Sequence, residues 1–134
     1  MTDTLHLEIV SPERLLKDAQ VAMVVVPGAD GDFGAMPAHA PMMSTIRPGV
    51  IQIFETEASE PEQLFVKSGL AQISATGLTI LAEDMIDLSS VDTTELAADI
   101  AKAQDALNTA SDDIERGLAE TELEWRRVLS ELVS

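Results

Sequence analysis

Proline and glycine stop abruptly along this chain. All six prolines and six of the seven glycines precede residue 78, whereas residues 89 to 134 hold no proline and a single Gly117. Proline removes a backbone donor and fixes φ, and glycine loosens the chain, so long helices are blocked in the first part and allowed in the second. The expected division is a domain over residues 1–88 and another over residues 89–134.

In the first part, apolar runs recur about every 8 to 12 residues between Gly, Pro and Asp punctuation, the pattern of a sandwich or barrel. The strand candidates are Leu5 to Val10, Val21 to Val26, Met43 to Ile46, Val50 to Phe54, Leu64 to Lys67, Leu70 to Ser74 and Leu78 to Ala82. Leu5, Leu7 and Ile9 alternate with His6 and Glu8, as a half-buried strand requires. Pro27-Gly28, Pro48-Gly49, Ser68-Gly69 and Thr76-Gly77 supply turns, and the polar stretch Glu55 to Gln63 reads as a hairpin loop.

Beyond Leu88 the period becomes helical. Asp92 can cap a helix with Glu95 three residues on, followed by Leu96, Ile100, Ala103 and Leu107 on one stripe. Asn108 to Asp112 interrupts, and Ile114, Leu118, Trp125, Val128, Leu129 and Leu132 line a second stripe. A short break between two stripes predicts an antiparallel helical hairpin. Gly117 weakens the second helix locally.

The charge excludes whole classes of partner. Eight Lys and Arg against 24 Asp and Glu give a net charge of −16, which repels nucleic acid and anionic lipid. With no cysteine there is no disulfide framework and no thiolate nucleophile or metal ligand. The start of the chain lacks the cationic and apolar character of a signal peptide. The longest apolar run, Val21 to Val26, falls far short of the ~20 residues that span a bilayer.

Local motifs point away from catalysis. Gly28, Gly31 and Gly34 recur at every third position, but Pro37 follows soon after and Asp30 and Asp32 would repel phosphate, so the segment reads as a structural or partner-contacting turn. Asp30 and Asp32 lack the further ligands of a calcium loop, and His6 and His39 form no ligand pair, so no metal site is expected. No Gly-x-Ser-x-Gly elbow occurs, and Glu83, Asp84 and Asp87 read as a solvated strand exit.

The segment Val24 to Pro41, VVVPGADGDFGAMPAHAP, closely resembles the loop and turn of ATP synthase epsilon subunits. The likeness continues in order through Ile46 to Ile51 (IRPGVI), Phe65 to Ala71 (FVKSGLA) and Leu78 to Glu83 (LTILAE). The resemblance implies a mainly β fold, a flattened sandwich of about ten strands, followed by a C-terminal two-helix hairpin. It implies a non-catalytic rotor subunit of the central stalk, linking gamma to the ring of membrane-embedded subunits and coupling proton-driven rotation to ATP synthesis. The implied workplace is the cytoplasmic face of a bacterial inner membrane, reached through the complex and without lipid insertion, and no cofactor is implied.

By the same resemblance Asp32 is the first candidate for a contact with the ring, with Gly28, Asp30, Gly31 and His39 as neighbours. Some relatives carry an ATP-binding motif, Ile/Leu-Asp-x-x-Arg-Ala, whose counterpart here is Val91 to Leu96. Asp92 is kept, but Glu95 replaces the arginine and reverses the charge a phosphate needs, so no ATP site is expected. Family hairpins can inhibit ATP hydrolysis by extending into the catalytic head. Seven acids against Arg116, Arg126 and Arg127 over residues 112–134 disfavour docking on an acidic surface and predict weak or absent inhibition.

A free-standing ligand-binding sandwich with a helical dimerisation tail is the alternative reading. Its support is thin, because sugar sites stack aromatic rings and the β-region offers only Phe33, Phe54 and Phe65. A metal-dependent cupin-like enzyme fails for want of a His-x-His and Glu cluster.

Overall fold

The computed structural model describes residues 4–37, 40–75, 77–83 and 85–133, so His39, Thr76 and Asp84 lie outside the described residues. The chain divides between Ile86 and Asp87 into two compact units.

The first unit is a sheet of ten strands: β1 Leu5–Val10, β2 Leu15–Val21, β3 Met23–Gly28, β4 Gly31–Ala35, β5 Met42–Ile46, β6 Gly49–Phe54, β7 Glu62–Val66, β8 Gly69–Ile73, β9 Gly77–Ala82 and β10 Met85–Asp87. Their order across the sheet is β10-β7-β6-β3-β5-β8-β9-β1-β2, with β4 paired to β3. β1 pairs with β9 in parallel, while β1–β2, β3–β4, β3–β5, β3–β6, β5–β8, β6–β7 and β8–β9 are antiparallel.

The sheet folds over on itself. The β3–β5 link is a single pair, Gly28 with Ile46, so the two halves hinge there and lay their apolar faces together. One buried cluster joins Leu5, Leu7, Ile9, Ala71, Ile73, Leu78 and Ile80 of one half to Val24, Val26, Ile51 and Ile53 of the other. Alternation explains the selection: along β1 and β6 every second residue is buried.

Three strands depart from the sequence reading. The run Val21 to Val26 is two strands, since Val21 ends β2 and β3 starts at Met23, with the Ala22 amide donating to the Phe54 carbonyl at 2.8 Å. An unbroken apolar run conceals such a bend, because the buried Val21 that ends β2 and the buried Val24 and Val26 of β3 read as one stretch. The supposed turn from Gly28 to Gly34 narrows to Ala29 and Asp30, as Gly31–Ala35 pairs residue by residue with β3 despite its glycines. Met85–Asp87 adds a short edge strand.

The second unit begins with Leu88–Ser90 as a 3-10 turn, followed by α1 Thr93–Asn108 and α2 Asp113–Val133. Asp92 caps α1, accepting from the amides of Thr94 and Glu95 at 2.9 and 3.1 Å. At α2 the Asp112 carboxylate accepts from the Glu115 amide at 2.8 Å, and Glu115 accepts from the Ser111 amide and hydroxyl at 3.0 Å. The Ser111 amide and then its hydroxyl hold the Glu115 carboxyl below its usual pKa.

The hairpin packs through Leu96 and Ala103 of α1 and Ala119, Leu123, Trp125 and Leu129 of α2, all buried. The expected α2 stripe is therefore shifted: Trp125 and Leu129 are inside, but Ile114 is 77% exposed and Leu118 65% exposed. The small Ala103 and Ala119 lie on the buried faces, where small side chains allow helices to approach closely. Among the described residues no helix is long and apolar enough to cross a membrane.

Candidate functional site: an arginine-locked hairpin tip

The β3–β4 hairpin ends in a two-residue tip, Ala29 and Asp30, between the paired glycines Gly28 and Gly31. Gly31 has φ of +136°, a conformation side chains other than glycine rarely adopt. At Gly28 a Cβ would lie 2.7 Å from the Gly31 carbonyl oxygen and 3.0 Å from the Phe33 ring, so the hairpin closes this tightly only on glycine. Phe33 in turn packs against the core cluster, anchoring the strand that returns from the tip.

The tip is also tied sideways, at the corner where the sheet folds over. The Ala29 amide donates to the Thr45 carbonyl at 2.9 Å, and the Arg47 amide donates to the Pro27 carbonyl at 3.0 Å. The Arg47 side chain completes the lock: Nη1 donates to the Gly28 carbonyl at 2.7 Å and Nη2 to Asp32 Oδ1 at 2.6 Å. One guanidinium thus fastens the backbone of one strand and the side chain of the other.

Of the five residues expected at a contact surface, Gly28, Asp30, Gly31 and Asp32 come together here, and His39 lies outside the described residues. Asp32 is 62% exposed at its side chain despite its pairing, while Asp30 is exposed and has no ion-pair partner among the described residues. Sequence reasoning gave Arg47 no role. It stands 15 residues from Asp32, and only the strand pairing brings the two together.

A second feature lies on the outward face of β5, β8, β9 and β1. The register aligns Thr45, Leu70, Leu81 and Val10 in one row across the four strands. Leu81 is 47% exposed, and nearby Met43 is 61% exposed. A groove of about 620 Å³ runs past Val10, Pro12, Thr45 and Leu81. Leu81 and Met43 thus leave apolar surface in the open on this face, beside the half-buried Val10 and Leu70.

Asp92 and Glu95 belong to a cap. The Asp92 carboxylate is occupied by two helix amides, and Glu95 is exposed in the first turn. Among the described residues no three His, Asp or Glu side chains gather to hold a metal ion.

A hairpin tip fixed by Arg47 and a row of side chains aligned across four strands are thus two surface features of the sandwich, and neither gathers catalytic groups. The family described as "ATP synthase, Delta/Epsilon chain, beta-sandwich domain" matches residues 4–87. The ATP synthase epsilon chain of Maricaulis maris is 45% identical over 119 residues, covering 89% of this chain and 88% of that one. That of Parvibaculum lavamentivorans is 42% identical over 133 residues, covering 99% and 100%. The chain belongs to the ATP synthase epsilon family. It is a non-catalytic subunit of the central stalk of that complex.

The fold is shared more widely. A chain in the cryo-EM structure of the Euglena gracilis mitochondrial ATP synthase with its c-ring superposes with a TM-score of 0.85 at 19% identity, covering 100% of this chain and 84% of that one. A chain in the central stalk and c-ring structure from Tetrahymena thermophila gives 0.64 at 13% identity, covering 99% and 100%. At these identities the likeness is one of fold.

Proposed function

We propose that this subunit joins the rotor of a bacterial ATP synthase to its membrane ring through the tip made by Gly28, Asp30, Gly31 and Asp32, with His39 beside it in sequence. The observation that carries the reading is the double lock of Arg47 on Gly28 and Asp32, which keeps the tip from yielding under load. A joint that carries torque must not slip or come apart under load, and this hairpin is tied to β5 as well as to itself. Similarity of fold to chains from assemblies that contain a c-ring supports the same reading.

Residues 1–88 form the rotor domain in this account and residues 89–134 the hairpin domain. Gamma is the partner for the row of Thr45, Leu70, Leu81 and Val10, since a rotor shaft needs a broad, dry contact and this row supplies apolar surface. The workplace is the cytoplasmic face of the inner membrane, held there through the other subunits and without lipid insertion. Nucleic acid and cofactors play no part.

Copurification tests the assignment. A tagged copy isolated from its own membranes is expected to bring gamma, the ring and the catalytic-head subunits with it, and its recovery without them would overturn the rotor reading. The hairpin inhibits hydrolysis weakly or not at all, because its second helix is acidic where an acidic docking surface asks for cations. Deleting residues 89–134 is expected to leave the hydrolysis rate of the reconstituted complex unchanged, and a severalfold rise would contradict this.

A further inference from the structure

We propose that Arg47 sets the charge as well as the shape of the hairpin tip, neutralising Asp32 so that Asp30 alone presents an uncompensated negative charge to the partner. The proposal rests on the ring-contact reading and assigns its chemistry. Arg47 Nη2 lies 2.6 Å from Asp32 Oδ1, the guanidinium being 45% and the carboxylate 62% exposed, so the pair faces solvent as a neutral, polar unit. Its other nitrogen is spent on the Gly28 carbonyl at 2.7 Å, which fixes the pair at the base of the tip. Asp30 stands at the apex, exposed, with no partner among the described residues.

This arrangement specifies the partner. A loop that seats on the tip needs a cationic side chain opposite Asp30 and a neutral hydrogen-bond donor opposite Asp32. A loop bearing two cations would meet the Arg47 guanidinium as well and be repelled. In a chain of net charge −16 the local balance matters, because it separates one defined contact from a general attraction for cations.

The test uses the full chain and the purified membrane ring in detergent. Exposed charges at an interface act through the ionic strength, so binding is measured from about 0.01 M to about 0.15 M salt. Asp30→Asn is expected to flatten the salt dependence. Arg47→Ala exposes Asp32 as a second carboxylate, doubling the uncompensated charge of the tip, and is expected to steepen the dependence by about twofold. Adding Asp32→Asn to Arg47→Ala restores the wild-type dependence, although the loosened tip binds more weakly.

A purely structural role for Arg47 would lower affinity without moving the salt dependence, and that result would overturn the charge assignment. Amide hydrogen exchange at Ala29 in the free chain reads the lock by itself. It is expected to accelerate by about threefold in Arg47→Ala, on the scale of an exposed ion pair, and no acceleration would overturn the positioning role. If exchange accelerates while no variant changes ring binding, the ring-contact reading falls and the lock stands.

Discussion

Lys17 on β2 and Glu62 on β7 meet at 3.4 Å, although they stand near opposite ends of the strand order. The pair marks where the folded sheet brings its two margins together. Lys17 is 22% exposed, which limits screening, while Glu62 is half in solvent. A double-mutant cycle with Lys17→Ala and Glu62→Ala is expected to give a coupling of about 0.5 kcal/mol in denaturant unfolding at low salt, shrinking as salt rises. Zero coupling at low salt would mean that the margins are held by the apolar cluster alone.

Asp92 gives a prediction for the start of the second unit. Its carboxylate satisfies the Thr94 and Glu95 amides, which would otherwise have no acceptor. Asp92→Ala is expected to cost about 1 kcal/mol of helix stability, and Asp92→Asn much less, since both asparagine and aspartate are good caps. Hydrogen exchange of the first turn of α1 reads this directly. A role in ATP binding would instead show as an ATP-induced shift lost in both variants.

Gly117 sits within α2 with open space around the position of a Cβ. Helix entropy is then its main effect, and Gly117→Ala is expected to stabilise the hairpin by about 1 kcal/mol. Thermal unfolding followed by circular dichroism at 222 nm checks it, a lowered midpoint being the contrary result.

His6 predicts a pH dependence in the sandwich. Its Nε2 lies 2.5 Å from Asp18 Oδ1, and this hydrogen bond raises the imidazole pKa above its ordinary value of 6.5; slight desolvation opposes the rise, while the charges of Asp18 and Glu8 add to it. A raised folded-state pKa contributes stability that is complete below the unfolded value and is lost as pH climbs through the folded one. The β1–β2 pair is therefore expected to be slightly more stable at pH 5.5 than at pH 8, the difference shrinking in Asp18→Asn, where only the charge of Glu8 still favours the imidazolium. NMR titration of the His6 ring, with a lower midpoint in that variant, provides the check.

Much of this was legible in the residues, and the failures have physical causes. Alternating Leu5, Leu7 and Ile9 announced β1, and Asp92 with Glu95 announced the start of α1. β2 was hidden because Leu15–Val21 carries Lys17, Asp18 and Gln20 and buries only Val21 fully, so its strand state depends on pairing with β1. β4 was hidden because Gly31 and Gly34 favour coil in isolation, and only the β3 ladder makes them extended. Ile114 and Leu118 belong to the apolar stripe of α2 and yet are exposed, since periodicity finds the stripe but cannot say which neighbour meets it.

At the tip, the glycines and aspartates were visible and their fastening was not. Arg47 precedes Pro48-Gly49 in a run whose local pattern speaks only of a turn. Its place beside Asp32 follows from β3 pairing with both β4 and β5, a long-range fact. A lone arginine after an apolar strand in an acidic chain is the one hint the sequence offered.

The most direct measurement of the central claim is the response of coupled proton pumping to Asp32→Arg, which sets a second guanidinium beside Arg47 and opens the tip. In membranes carrying the variant complex, ATP-driven proton pumping is expected to fall severalfold while ATP hydrolysis by the detached catalytic head keeps its rate. An equal loss of both activities, or pumping at the wild-type rate, would contradict a rotor contact at this hairpin.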